Sequence, residues 1–157
     1  MKQDKFLTGI LVGIGVLIVL ALALFFTRQE KRDYISDSTP EGVAHNYVLA
    51  VLNKDYQKAY DYLADLEHKP TYGEFRRAFF NGMINPDNAG VDVGASTINE
   101  DEAVVELTLY YSYNDPFSSR YGSAERALLV KQNGAWKLSS MPYNFWDYSW
   151  YQEPYKP

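Results

Sequence analysis

Between Lys5 and Arg28 no residue carries a charge, and this one feature constrains the chain more than any other. The 22 positions Phe6–Thr27 rise about 1.5 Å each in a helix and reach roughly 33 Å, the thickness of one bilayer core. A cleaved signal peptide is the rival reading, with Lys2 and Lys5 as the basic start and Ala21-Leu22-Ala23 as the small-residue cleavage site. Against it, Leu24-Phe25-Phe26 carries the run past that cut, and the run exceeds the roughly 7–15 residues of a signal h-region. A transmembrane helix over 6–27 is therefore expected, preceded by a short tail, 1–5. Lys2 and Lys5 nearly balance Arg28, Lys31 and Arg32 across the span, so the charge rule almost ties. The short tail ahead of the span places the N-terminal tail in the cytoplasm and the C-terminal part on the extracytoplasmic side of the cell membrane. Gly9-x-x-x-Gly13 would let two such helices approach closely as a dimer, and plain lipid-facing glycine is the alternative.

The remainder reads as one domain. Residues 28–38 are polar, mixed in charge and without period, which describes a tether. Thr39 is suited to cap a helix with Pro40 in its first turn, and Val43, Ala44, Tyr47, Val48, Val51 and Leu52 share a face at 3.6 periodicity, with Asn46 and Asn53 opposite. Asp55 caps a second helix with Tyr56, Ala59, Tyr60 and Leu63 inward. Thr71 and Glu74 have the capping-box spacing ahead of a third, short helix whose buried stripe is Phe75, Ala78 and Phe79 and which Gly82 closes. The period then changes to 2. A weak strand, 91–98, precedes a clear one in which Ala103, Val105, Leu107, Leu109, Tyr111 and Tyr113 alternate with polar residues. A polar connection from Asn114 leads to a third strand, 122–131, and Asn133-Gly134 turns it into a fourth, 135–140. A three-residue turn pairing Val130 with Trp136 and Leu128 with Leu138 leaves Lys131 and Lys137 outside, and is the expected register.

Helices followed by antiparallel strands over 39–141 define an α+β domain with three helices on one face of a curved sheet. The run Ala44-x-x-Tyr47-x-x-Ala50-Val51-x-x-x-Asp55-Tyr56-x-x-Ala59-Tyr60, the Phe75-containing helix, the Ala103-x-Val105-x-Leu107 strand and the closing Asn133-Gly134-Ala135-Trp136-Lys137-Leu138 hairpin resemble the nuclear-transport-factor-2-like superfamily, in particular its bacterial membrane-anchored members. That resemblance implies a cone-shaped, cystatin-like roll, often a homodimer through the sheet, with a pocket between sheet and helices. The absence of an Asn-x-Ser/Thr sequon among nine Asn fits a bacterial origin.

Chemistry is sparse. Fifteen basic against 20 acidic residues give −5, and residues 39–157 alone carry −6, so no basic face is available for nucleic acid. With no Cys there is no disulfide and no thiolate nucleophile or ligand, and two His 23 residues apart form no metal motif. Glu100-Asp101-Glu102 reads as a solvated turn, with weak calcium chelation as the other option. No Gly-rich phosphate loop and no nucleophile-elbow motif occurs, and no cofactor is implied. Enzymes of the resembled superfamily put an acid or base on sheet-facing positions, and those positions here are apolar. The expectation is therefore a non-catalytic, membrane-anchored binding or assembly module. Its alternative is an isomerase- or dehydratase-type enzyme for a hydrophobic small molecule, with Tyr111 or Tyr113 as hydrogen-bond donor and His45 as base. His45 also reads as a partly exposed structural residue, and His68 as solvated loop.

The C-terminal segment, 142–157, stands out: Tyr143, Phe145, Trp146, Tyr148, Trp150, Tyr151 and Tyr155 crowd it, and all three Trp lie within 136–150. It either folds back over the cone mouth or sheet, which is the expectation, or offers an aromatic surface to a sugar, peptide or protein, or lies at the lipid interface. The binding candidates are Tyr111, Tyr113, Trp136, Trp146, Tyr148 and Trp150, toward a small hydrophobic, sugar or protein partner.

Overall fold

In the computed structural model, which describes residues 5–27, 33–87, 89–111 and 121–153, the chain divides into two units, 1–33 and 34–157. The first contains helix α1, Lys5–Thr27, long and apolar enough to cross a membrane. Its described side chains, 5–24, are all exposed.

The second unit is α+β. Helix α2, Pro40–Leu52, starts where the Thr39 hydroxyl accepts from Gly42 N, and Pro40 takes the position where a missing N–H costs nothing. Helix α3, Tyr56–Asp61, starts at Asp55, whose carboxylate accepts from Lys58 N. Helix α4, Tyr72–Phe80, has the full capping box, Glu74 N to Thr71 Oγ1 and Thr71 N to Glu74 Oε2, and Gly82 takes φ +70° two residues beyond its end. These three starts fall where the caps predict.

Strands β1 (Ala89–Asn99), β2 (Glu102–Tyr111), β3 (Tyr121–Gln132) and β4 (Ala135–Ser140) form an open antiparallel sheet in the order β1-β2-β3-β4. Strand β1 runs longer than expected and absorbs a bulge between Val93 and Ser96. On β2, Ala103, Val105, Leu107 and Leu109 are buried and Glu106 is exposed, so the alternation is as read; Tyr113 and the connection after it lie outside the described residues. Helix α2 lies against β1, β2 and β4, and α3 and α4 pack in turn outside it. Chain 62–64 runs along β4 instead of prolonging α3, with Ala64 N donating to Leu138 O and Leu138 N to Tyr62 O, which covers that edge of the sheet.

Three expectations are corrected. Residues 34–38, expected in the tether, belong to the second unit: Asn46 Oδ1 accepts from Ile35 N (2.9 Å) and Asn46 Nδ2 donates to Ile35 O (2.7 Å). Asn46 is accordingly 2% exposed instead of facing water, and α2 is covered on its outer side as well as by the sheet. Gly42 makes this approach possible, since a Cβ there would sit 1.8 Å from Ser36 O.

The third correction concerns the hairpin. Its turn has two residues, pairing Gln132 with Ala135, Lys131 with Trp136 and Leu129 with Leu138, not Val130 with Trp136. Asn133 and Gly134 both take positive φ, +52° and +82°, and such a turn matches the right-handed twist of the strands it joins. Lys131 falls on the inner face but at its end, where its stem leads the ammonium out over the Trp136 ring at 5.5 Å. A bulge at Ser139 then pairs Leu128 with Ser140.

Candidate functional site

Residues 141–151 fold back into the core, while 154–157, with Tyr155, lie outside the described residues. Phe145 is fully buried, Trp146 and Trp150 nearly so, and the segment is pinned twice: Tyr47 OH, inside the core, donates to Phe145 O (2.7 Å), and Tyr151 OH donates to Ala64 O (2.7 Å). Trp146 meets Trp150 edge-on at 4.9 Å and stacks on Tyr151 at 5.8 Å, while Trp150 lies 5.0 Å from Phe75 on α4. Burial raises the pKa of both Tyr47 and Tyr151 far above the usual tyrosine value, because an ionised phenolate would be stranded from water.

The sequence-named binding candidates therefore do not gather on one surface. Trp136, Trp146 and Trp150 belong to the core, with only the edge of Trp150 reaching the wall of a surface cleft. Tyr148 is 61% exposed, and Tyr113 lies outside the described residues. Tyr111 is half-buried at the end of β2, its hydroxyl donating to Asn144 Oδ1 (3.2 Å). Burial, then a hydrogen bond and charge from Tyr143 and the charge of Glu125, push its pKa up to about 12. That makes it a weaker acid than ordinary tyrosine. His45 is half-buried on α2 and His68 lies at φ +60°, 3.7 Å from Glu67.

Three clefts open to solvent are lined by described residues. The first, about 620 Å³, lies between the end of α2, α3, the outward side of α4 and residues 82–87, and is lined among others by Lys54, Tyr56, Tyr72, Arg76, Phe80 and Asp87. The second, about 650 Å³, separates α4 from the C-terminal segment, with His68, Arg77, Met83, Asp147 and Trp150 in its walls. The third, about 660 Å³, is a hollow on the uncovered face of the sheet at Glu106, Thr108, Arg126 and Leu128. His45 lines none of them, and none is bounded by both the inner face of the sheet and the helices. Among the described residues no three His, Asp or Glu side chains are grouped to hold a metal.

The cleft at α3 and α4 was missed in the sequence because its walls come from separate stretches between residues 51 and 87. One signal was available. In a helix buried through Phe75, Ala78 and Phe79, the neighbouring Phe80 and Arg76 fall off the stripe, and a phenylalanine off the stripe is an apolar ring sent to the surface.

No protein-family model matches the chain, and no curated protein matches it. Among solved structures, a SEC-C motif containing protein from Rhodopseudomonas palustris, determined in solution, is similar over 68% of this chain and 79% of its own, at 16% sequence identity and a TM-score of 0.48. That likeness decides neither fold family nor function.

Proposed function

We propose that the chain is a single-pass membrane protein in which α1 is the anchor and residues 34–157 form a non-catalytic binding or assembly module. In this reading the N-terminal tail is cytoplasmic, the domain is extracytoplasmic, and the fold is a cone-shaped roll of the nuclear-transport-factor-2-like kind. The observation that carries it is the pairing of an α1 with every described side chain exposed and a domain whose core closes without it, around Tyr47, Phe75, Phe145, Trp146 and Trp150. A helix so apolar has a bilayer as its natural solvent. Gly9 and Gly13, with open space where a Cβ would project, leave room for a second α1, and the uncovered sheet face is the other route to a homodimer.

The enzymatic alternative loses weight on two counts. The interior where a hydrophobic substrate would sit is packed with aromatic side chains, and Tyr111 is held by Asn144 with its acidity reduced. Fractionation tests the anchor: the full chain should stay with membranes in high salt and at alkaline pH and dissolve only in detergent. A mature N-terminus at Leu24, or release by salt, contradicts it. Protease added to the outside of intact cells should reach residues 34–157; protection of the domain reverses the orientation. Turnover of a substrate that is abolished by Tyr111→Phe or His45→Ala would restore the enzyme.

A further inference from the structure

The cleft between α3 and α4 joins an aromatic surface to charges that do not neutralise one another. Tyr56 stacks on Phe79 with ring centroids 5.0 Å apart and packs against Phe80 at 5.7 Å, and Phe80 keeps 65% of its surface in water. Of the lining polar groups, Asp55 is engaged in capping α3, and the Gln57 amide donates to Asp61. Asn85 Oδ1 accepts from Asp87 N, and Lys54, Arg76 and Asp87 are the charged groups left. Among the described residues none of the three forms an ion pair, and the contact of Arg76 is with the Phe80 ring, its guanidinium carbon 4.8 Å from the centroid. Asp87 raises and Arg76 lowers the pKa of Tyr56, less than burial raises it, so both charges act on the Tyr56 hydroxyl from the walls of the same cleft.

Ligand classes can be ranked on that arrangement. A purely apolar ligand would strand three charges, a simple anion would meet Asp87, and a simple cation would meet Lys54 and Arg76. A peptide could not add here as a further strand, since this cleft is walled by helices and a loop and offers no strand edge. A sugar satisfies every group. Its hydroxyls donate to Asp87 and accept from Arg76 and Lys54, the planar carboxylate and guanidinium each span a pair of neighbouring hydroxyls, and the C–H face of the ring lies on Phe80 and Tyr56. We propose that the α3–α4 cleft is a saccharide-binding site, with Phe80 as its stacking platform and Arg76 and Asp87 as its polar clamps.

This deepens the binding-module reading and rests on it. The full chain, in a detergent without a sugar headgroup, is titrated by calorimetry with the tetramer of N-acetylglucosamine, with cellohexaose and with maltohexaose at up to millimolar concentration, alongside Ala-Ala-Ala. At least one sugar should bind, and Phe80→Ala and Arg76→Ala should each weaken it about tenfold or more, while Ile98→Ala, at an exposed position on β1 away from the cleft, leaves it unchanged. Both positions are exposed, so these variants should melt with the wild type. On the unmodified protein, the same sugar should shield Arg76 from phenylglyoxal, located by mass spectrometry. Binding of none of the three sugars, binding that survives both variants, or binding of the peptide alone overturns the proposal. Such a failure in a chain that still resists alkaline extraction leaves the anchor reading standing. Sugar binding by a chain that salt releases from membranes does the reverse.

Discussion

Helix α1 holds the longest uncharged apolar run of the chain and the C-terminal segment its densest aromatic stretch, and they have opposite fates. In α1 the side chains described, 5–24, are all exposed; in the segment after β4, Met141, Phe145, Trp146 and Trp150 are all buried. The difference lies in what accompanies the apolar groups. The run in α1 is uncharged and largely aliphatic, with Thr8 and Thr27 as its polar residues, so a helix satisfies its backbone and, in the anchor reading proposed above, lipid takes its surface. The C-terminal segment interleaves its rings with Pro142, Asn144, Asp147 and Ser149, which turn the chain, and hydroxyl-to-carbonyl hydrogen bonds tie it to the domain in both directions, Tyr47 OH to Phe145 O and Tyr151 OH to Ala64 O. Density of apolar residues alone does not tell membrane from core. The spacing of polar groups within the run does.

The largest way to break this contrast is to remove residues 142–157. Losing Phe145, Trp146 and Trp150 together exceeds what a domain with roughly 5–15 kcal/mol of stability withstands, since one buried aromatic replaced by alanine costs about 3–5 kcal/mol. The shortened chain should show no cooperative thermal transition, while α1 still partitions into membranes. A transition within a few degrees of the full chain would mean that the segment lies outside the core.

A finer cut compares two rings from the same segment. Trp150→Ala should cost about 3–5 kcal/mol, whereas Tyr148→Ala, 61% exposed, should stay within about 0.5 kcal/mol, both read from denaturant unfolding. Equal effects would remove the distinction between a buried and an exposed half.

At the other end of the domain, Gly42→Ala forces a Cβ onto Ser36 O and should release residues 34–38 from α2, costing about 1–3 kcal/mol, as overpacking typically does. Limited proteolysis should then cut between Tyr34 and Ser38 faster than in wild type. An unchanged digestion pattern would return those residues to the tether.

Alkaline pH should separate the two regions without mutation. The pKa values of Tyr47 and Tyr151 are raised in the folded protein, so the stability they contribute is complete below the unfolded value of about 10 and falls as pH climbs above it, where the unfolded chain ionises first. Near-ultraviolet circular dichroism should fade in that range while α1 stays in the membrane and far-ultraviolet helicity from α1 persists. Tyr47→Phe should flatten the slope, and a slope unaltered by that change would contradict the assignment.

Much of this organisation was legible in the sequence, for physical reasons that name their residues. Thr39 with Pro40, Asp55, and Thr71 with Glu74 marked three helix starts because a cap is a local interaction, complete within a few residues. The period-2 alternation from Ala103 marked β2 because one face of it is buried. Two features needed the third dimension. Asn46 looked like a solvent-facing residue because the chain that buries it, 34–37, has no period of its own and is recognised only through its hydrogen bonds to Asn46. The hairpin register was argued from keeping lysines off the inner face, but the backbone angles of Asn133 and Gly134 decided it, and Lys131 escapes burial by reaching past Trp136. The candidate cleft was the least legible feature. Lys54, Arg76 and Asp87 are unremarkable singly, and only the fold brings them into one cleft with Tyr56.

Tryptophan fluorescence of the full chain in vesicles tests the central contrast most directly. Helix α1 contains no Trp, and Trp136, Trp146 and Trp150 are all buried in the domain, so every indole reports on where the C-terminal aromatics lie. The account predicts blue-shifted emission that neither acrylamide in the water nor bromine-labelled lipid chains quench, and that shifts to the red when the domain unfolds. Quenching by the brominated lipid would place these aromatics at the membrane, and strong quenching by acrylamide would place them in solvent; either result contradicts a core built from the C-terminal segment.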